Sequence, residues 1–202
     1  MRSTRIPSDE ELMLSYGDGG EEAFTLLFKR YELRIFNYIL RHIGDRSLAE
    51  DLLQNTFLKV HRSRKSYRPS AAFSTWIFTI ASNLLKDAAR VQKHRADIVE
   101  LEEVRERVAG GSSLSESLSI PRQQDPEVEV GEREIAGYIR QAVQALPFDQ
   151  REVIILAKYE GFKYEEIAEI LNTTPGAVKV KAHRAMKTLE VVLKDQLGVY
   201  PF

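Results

Sequence analysis

From Ala109 to Pro126 the chain reads Ala-Gly-Gly-Ser-Ser-Leu-Ser-Glu-Ser-Leu-Ser-Ile-Pro-Arg-Gln-Gln-Asp-Pro. Glycine, serine, proline and polar side chains at that density bury too little apolar surface to offset the entropy of ordering the backbone. The segment is expected to divide the chain into two folded parts. The reading is an N-terminal domain over 1–96, a flexible acidic linker over 97–134 and a C-terminal domain over 135–202.

Both flanks carry the helical period. Phe24, Leu27, Phe28, Tyr31, Ile35, Tyr38 and Ile39 recur at three- and four-residue spacing, the signature of one apolar face on a helix. Ala49, Leu52, Leu53, Thr56, Phe57 and Val60 form a second stripe, and Phe73, Trp76, Ile77, Ile80, Leu84 and Val91 a third. The period continues through Ile98, Leu101, Val104 and Val108 until the glycines stop it. In the C-terminal part a helix from Ile135 to Leu146 ends at Pro147, which lacks the donor needed to continue it. A helix over Asp149–Tyr159 follows, ending near Gly161. No segment alternates polar and apolar residues between hairpin turns. The expected fold class is all-α, two helical domains.

The net charge of −1 conceals an uneven distribution. Residues 1–96 hold 16 Lys and Arg against 11 Asp and Glu, whereas 97–134 hold 4 against 11. Between Lys59 and Arg95 there are nine basic residues and one acid, Asp87. A basic stretch beside an acidic one is a pattern of nucleic-acid partners as well as of solvated surface. The chain has no cysteine, which removes disulfides, thiolate metal sites and cysteine nucleophiles together. The four histidines, at 42, 61, 94 and 183, show no ligand spacing, and no glycine-rich phosphate loop or nucleophile motif is present. Neither an enzyme, nor a cofactor, nor a metal site is expected. No apolar run approaches the length of a membrane span, and Met1–Glu10 turns acidic where a signal peptide would turn apolar, so a cytoplasmic protein without membrane insertion is expected.

Residues 160–189 are the most informative. Tyr164–Leu171 reads as a short helix, Asn172-Thr-Thr-Pro175 as a tight turn, and Pro175 to about Leu189 as a second helix. Asn tolerates the left-handed conformation such a turn needs, Thr174 suits an N-cap and Pro175 a first helical position. The pair is a helix-turn-helix. On the second helix Val178, Ala182, Ala185 and Leu189 share one face. Gly176, Val180, His183, Arg184 and Lys187 lie opposite, with Lys179 and Lys181 at the flanks. Thr174–Thr188 holds four basic residues and no acid, while Glu165, Glu166 and Glu169 stay on the preceding helix. An acid-free helix of this kind can enter the major groove without repulsion from phosphate.

A second DNA-facing surface is expected on the helix starting at Phe73. Thr75, Thr79, Ser82, Asn83, Lys86 and Arg90 share a side without an acid. The loop upstream, His61-Arg-Ser-Arg-Lys-Ser-Tyr-Arg-Pro-Ser70, is basic and carries Tyr67 and Arg68. Basic groups with a nearby aromatic ring suit single-stranded nucleic acid, whose unstacked bases can lie on the ring.

Two such surfaces on one chain resemble a bacterial sigma factor. Ala49-Glu-Asp-Leu-Leu-Gln-Asn-Thr-Phe57, with Lys59 and Arg62, resembles region 2.2 of the sigma-70 family. Phe73-Ser-Thr-Trp-Ile-Phe-Thr-Ile-Ala-Ser-Asn-Leu-Leu-Lys-Asp87 resembles its promoter-melting and −10-reading helix. Leu146-Pro147, Arg151-Glu-Val-Ile-Ile-Leu156, Tyr164-Glu-Glu-Ile-Ala168 and Gly176-Ala-Val-Lys-Val-Lys-Ala-His-Arg-Ala185 resemble region 4. Length and domain content are similar to those of the extracytoplasmic-function (group IV) sigma factors. The resemblance implies that the chain binds core RNA polymerase and promoter DNA, with an anti-sigma factor as a further partner. Asp51, Gln54, Asn55, Leu58 and Arg62 would dock on the clamp coiled coil of the largest subunit, and the C-terminal domain would meet the flap of the second-largest. Tyr67, Arg68, Thr75, Thr79, Asn83, Lys86 and Arg90 would hold the −10 element. Gly176, Lys179, Val180, Lys181, His183, Arg184 and Lys187 would read the −35 element. Lys181 stands where the family usually has arginine. The acidic linker would thread through polymerase channels, as against a passive tether. The competing reading is a dimeric helix-turn-helix regulator with an N-terminal helical sensor domain.

Overall fold

The structure, a computed structural model, describes residues 5–108 and 130–197, with side chains described for 5–92 and 135–194. Among the described residues every regular element is helical. Residues 109–129, the centre of the expected linker, lie outside them. The helix that begins at Phe73 runs to Val108, and the next begins at Val130, so residue 96 falls within a helix.

The N-terminal domain is α1 (Asp9–Gly17), α2 (Glu21–Ile43), α3 (Arg46–Ser63) and α4 (Phe73–Val108). The apolar periodicity does not reveal α1, whose start is set by a capping box. The Ser8 hydroxyl accepts from the Glu11 N–H at 3.1 Å, and the Glu11 carboxylate accepts from the Ser8 N–H at 2.9 Å. Acids in its first turn serve the tertiary structure. Asp9 pairs with Arg30 and accepts from the Tyr31 hydroxyl, while Glu10 accepts from the Phe73 N–H at 2.9 Å and so caps α4. A carboxylate there also meets the positive end of the helix dipole. Gly44 ends α2 in the left-handed conformation (φ 75°), and Asp45 caps α3 by accepting from the Leu48 N–H at 3.1 Å. Leu27, Tyr31, Ile35, Tyr38, Ile39, Val60, Phe73, Ile77 and Phe78 close the core.

The C-terminal domain is α5 (Val130–Ala145), α6 (Phe148–Ile154) continued by a π-helical turn (Ile155–Tyr159), α7 (Tyr164–Ile170) and α8 (Pro175–Leu197). Pro147 separates α5 from α6, and Gly161, at φ 77°, ends the π-helical turn. Asn172 turns the chain between α7 and α8 at φ 49°, and the Thr174 hydroxyl caps α8 by accepting from the Ala177 N–H at 3.2 Å. Helix α8 extends past Leu189, where its expected DNA-facing stretch ends.

The two domains pack against each other. Five successive residues of α6 and its extension, Glu152 to Leu156, are buried, so this element is covered on all sides. Helix α8 covers one side and α2 with α4 the other. Phe162 meets Phe78 edge-on with ring centroids 5.0 Å apart, Arg34 pairs with Glu160 at 3.3 Å, and the Arg41 guanidinium lies 4.5 Å from the Tyr159 ring centroid.

Candidate nucleic-acid interface

The helix-turn-helix face is built by its core. Val178, Ala182, Ala185 and Leu189 are buried against α5, α6 and α7, which fixes the rotation of α8 about its axis. Gly176, Lys179, Val180, His183, Arg184 and Lys187 consequently point to solvent, with Val180 half exposed. Glu165 and Glu169 are exposed on α7, while Glu166 turns back to accept from the Lys163 N–H at 2.7 Å. Lys181 departs from the expectation. It is only partly exposed, and its ammonium pairs with Asp149 at the start of α6 at 2.8 Å. It lies at the edge of the face, within reach of a carboxylate of its own domain.

The surface expected on α4 is divided. Tyr67 is 3% exposed and stacks in the core rather than in solvent. Its ring lies edge-on to Trp76 and Phe73, with centroids 5.1 and 6.0 Å away, and its hydroxyl donates to the Ala71 carbonyl at 3.1 Å. Burial, followed by the charges of Glu10 and Asp9, pushes its pKa up to about 12. The expectation that it offers its ring to a base is corrected: the ring closes the loop onto α4. Thr75 is also corrected, being 4% exposed in the first turn of α4, and Thr79 donates its hydroxyl back to the Thr75 carbonyl at 2.8 Å. Arg68 is exposed but donates to the carbonyls of Lys65 and Tyr67. Asn83 and Arg90 are exposed, with Arg90 beside Asp87 at 3.3 Å. Lys86 and Ser82 face the C-terminal domain. Ser82 donates to the Glu152 carboxylate and Lys86 lies 3.5 Å from it.

Glu152, Arg34 and Glu160 are the residues that sequence reasoning did not single out. Glu152 is 2% exposed and also accepts from the Tyr38 hydroxyl at 3.3 Å. Desolvation raises its pKa, opposed by Lys86 and by the hydrogen bonds from Ser82 and Tyr38. Beside it, Arg151 donates to the carbonyls of His42, Gln144 and Leu146. His42 is buried between Tyr38 and Phe148 with neither ring nitrogen hydrogen-bonded, and a cavity of about 400 Å³ lies along it between Leu85 and Arg151. Burial, then the charges of Arg151 and Lys86, lowers its pKa to about 3. The signal in the sequence was Val153-Ile154-Ile155-Leu156, four apolar residues in a row where a helix with one buried face carries about half as many.

On α3, Asp51, Gln54, Asn55, Leu58 and Arg62 share one solvent-facing side, and Leu58 is 51% exposed there. Among the described residues no group of carboxylates and histidines is placed to hold a metal ion, and no helix is long and apolar enough to cross a membrane.

A two-domain helical protein with an open helix-turn-helix face and a basic N-terminal loop is the class that fold and site define. Residues 27–95 match the family model for sigma-70 region 2, and residues 136–189 match that for sigma-70 region 4. The chain is 36% identical over 183 residues to RNA polymerase sigma factor CarQ of Myxococcus xanthus, covering 91% of this chain and 96% of that one. It is 30% identical to the RNA polymerase sigma-H factor of Pseudomonas aeruginosa, covering 94% and 95%. Among solved structures, the fold matches CnrH in complex with the cytosolic domain of CnrY, with a TM-score of 0.67 at 19% identity, covering 94% of this chain and 99% of that one. It also matches the sigma factor RpoE in complex with the anti-sigma factor NepR from Bartonella quintana, with a TM-score of 0.63 at 24% identity, covering 85% and 96%. The chain belongs to the sigma-70 family, in its extracytoplasmic-function group, and is an alternative sigma factor that directs transcription initiation by RNA polymerase. The dimeric-regulator reading is not favoured.

Proposed function

We propose that this sigma factor engages polymerase and promoter through three surfaces and acts by binding, without catalysis of its own. Helix α8 lies in the major groove of the −35 element. Lys179 and Val180, near its N-terminal end, meet base edges, while Arg184 and Lys187 anchor phosphate. Val180 can pack on a thymine methyl, a contact that leaves no donor unpaired. Arg68, Asn83, Lys86 and Arg90 hold the −10 strand, Thr79 lying at the edge of that strip. The α3 side around Leu58 docks on the clamp coiled coil, where an exposed apolar residue amid polar ones serves as an anchor. The C-terminal domain meets the flap, the acidic segment joins the two domains through polymerase channels, and an anti-sigma factor is the regulatory partner.

The single observation that carries this reading is the solvent-facing side of α8 from Gly176 to Lys187, which holds no acid and whose rotation is fixed by four buried residues on the opposite side. The test is to add the purified chain to core RNA polymerase and look for promoter-specific run-off transcripts. Discrete start sites that vanish with Leu58→Asp, with helicity intact, support the reading. Sequence-specific DNA binding by the chain alone, as a dimer and without core, would overturn it.

A further inference from the structure

Helix α1 reaches both ends of the loop, from Arg64 to Ala72, that carries Arg68. In its first turn, Glu10 accepts from the Phe73 N–H at 2.9 Å and so fixes the start of α4, where the loop ends. In its last turn, the Tyr16 hydroxyl bonds to the His61 ring, and the Arg64 guanidinium lies 5.8 Å from the Tyr16 ring centroid, where the loop begins. Gly17 comes so near that a Cβ there would stand 3.3 Å from the Arg64 carbonyl. The two grips lie on one helix, about 9 Å apart along its axis. Helix α1 is itself tied to α2. Asp9 pairs with Arg30, whose guanidinium also donates to the Pro7 carbonyl at 3.1 Å, and Tyr16 stacks on Phe24 with ring centroids 4.7 Å apart.

We infer that α1 is a brace that presets the strand-holding loop, with Glu10 and Tyr16 as positioning residues for promoter opening. Neither needs to touch DNA: Tyr16 is 6% exposed, and the Glu10 carboxylate is engaged by Phe73. A loop gripped at both ends by one rigid element has few conformations left to lose. It offers Arg68 at a fixed place relative to α4. A loose loop must be ordered each time it takes a strand, which weakens binding in proportion to the fraction of time it is ordered. This inference rests on the strand-holding role proposed above for Arg68 and α4.

Trp76, the single tryptophan, reports the state of the loop without reference to activity. Its ring lies 5.1 Å from that of Tyr67 and 5.8 Å from that of Phe73, centroid to centroid. Acrylamide quenching of Trp76 in the free full-length chain is expected to rise in Glu10→Ala at unchanged helicity. Glu10→Gln, whose amide oxygen can still accept from the Phe73 N–H, is expected to keep the parent value. In the holoenzyme, at a promoter found by the run-off assay, Glu10→Ala is expected to form closed complexes with unchanged affinity. It should open them about tenfold more slowly, the factor that one lost helix cap supplies, and Glu10→Gln should restore the rate. Tyr16→Phe keeps the ring and loses the bond to His61, and is expected to slow opening about threefold. Unchanged Trp76 quenching in both Glu10→Ala and Tyr16→Phe overturns the brace. Greater quenching with unimpaired opening overturns the positioning role. Asn83→Ala, measured in parallel, separates the two readings: slow opening there leaves the strand-holding role standing, and full opening overturns that role as well.

Discussion

The outward side of α8 from Gly176 to Lys187 and the polar strip of α4 from Thr75 to Arg90 are alike in charge: each presents lysine and arginine, with no acid among Gly176, Lys179, Val180, His183, Arg184 and Lys187 or among Thr75, Thr79, Ser82, Asn83, Lys86 and Arg90. They differ in what surrounds them. Helix α8 has one buried side, and the small side chains Ala182 and Ala185 seat it on its own domain, leaving the other side free. Helix α4 is enclosed by its own domain at Phe73, Ile77 and Ala81 and by the other domain at Phe78, Ser82 and Lys86. A helix wheel assigns faces correctly when one neighbour supplies the burial. It fails when a second neighbour arrives from elsewhere in the chain, because that neighbour can cover polar residues by pairing with them.

The largest expected effect tests whether Tyr67 belongs to the core or to DNA. Tyr67→Ala is expected to cost about 3–5 kcal/mol of stability in urea unfolding, the range for truncating a buried aromatic ring. Tyr67→Phe, which loses only the bond to Ala71, is expected to cost about 1 kcal/mol. A stable Tyr67→Ala chain with weak strand opening would return the ring to the DNA surface and erase the contrast with α8.

Next comes the pH response of the covered side. The pKa of His42 is lowered to about 3 in the folded chain from 6.5, so the folded state resists a proton that the unfolded state accepts. The stabilisation is complete above the unfolded value and is lost as pH falls below it, by about 1.4 kcal/mol per pH unit. The raised pKa of Glu152 acts in the opposite sense, its share fading as pH rises through the folded value. His42→Phe is therefore expected to flatten the loss of stability between neutral and mildly acid pH. An identical slope in His42→Phe and the parent chain would mean that His42 is not buried on docking.

Two smaller effects sharpen the α8 side. Lys187→Ala in the holoenzyme is expected to weaken all promoters alike and to lower the salt slope of binding by about one, as a phosphate contact does. A loss confined to one −35 sequence would place it on a base. Lys181→Ala is expected to change stability by less than about 1 kcal/mol and −35 preference hardly at all, since its ammonium sits on Asp149 in a partly exposed pair. A loss of preference at a single base pair would show that DNA displaces Asp149.

Much of this was legible in the residues. The apolar stripes of α2, α3 and α4, the stop at Pro147 and the turn at Asn172-Thr-Thr-Pro175 follow from backbone chemistry and helical period, and the exposed side of α3 from the same period. Helix α1 escaped the period because only Leu12, Met13 and Tyr16 are buried, yet Ser8-Asp-Glu-Glu11 announces its capping box. The side chains of Tyr67 and Lys181 were misplaced for a common reason. Each meets a partner that the helical period does not register: Tyr67 folds from its loop onto Phe73 and Trp76 of α4, and Lys181 reaches Asp149 on another helix.

What the sequence determined by itself is the set of helices, the division into two domains' worth of apolar faces, and the outward side of α8, since these depend on residues within a few turns of one another. What only the tertiary structure decided is which polar residues are free. Tyr67 is buried by folding from its loop onto α4, Thr75 is buried at the start of α4, and Lys86 pairs with Glu152 of the other domain. A periodic pattern holds no information about such contacts, because a polar side chain looks the same in sequence whether water or a buried partner satisfies it.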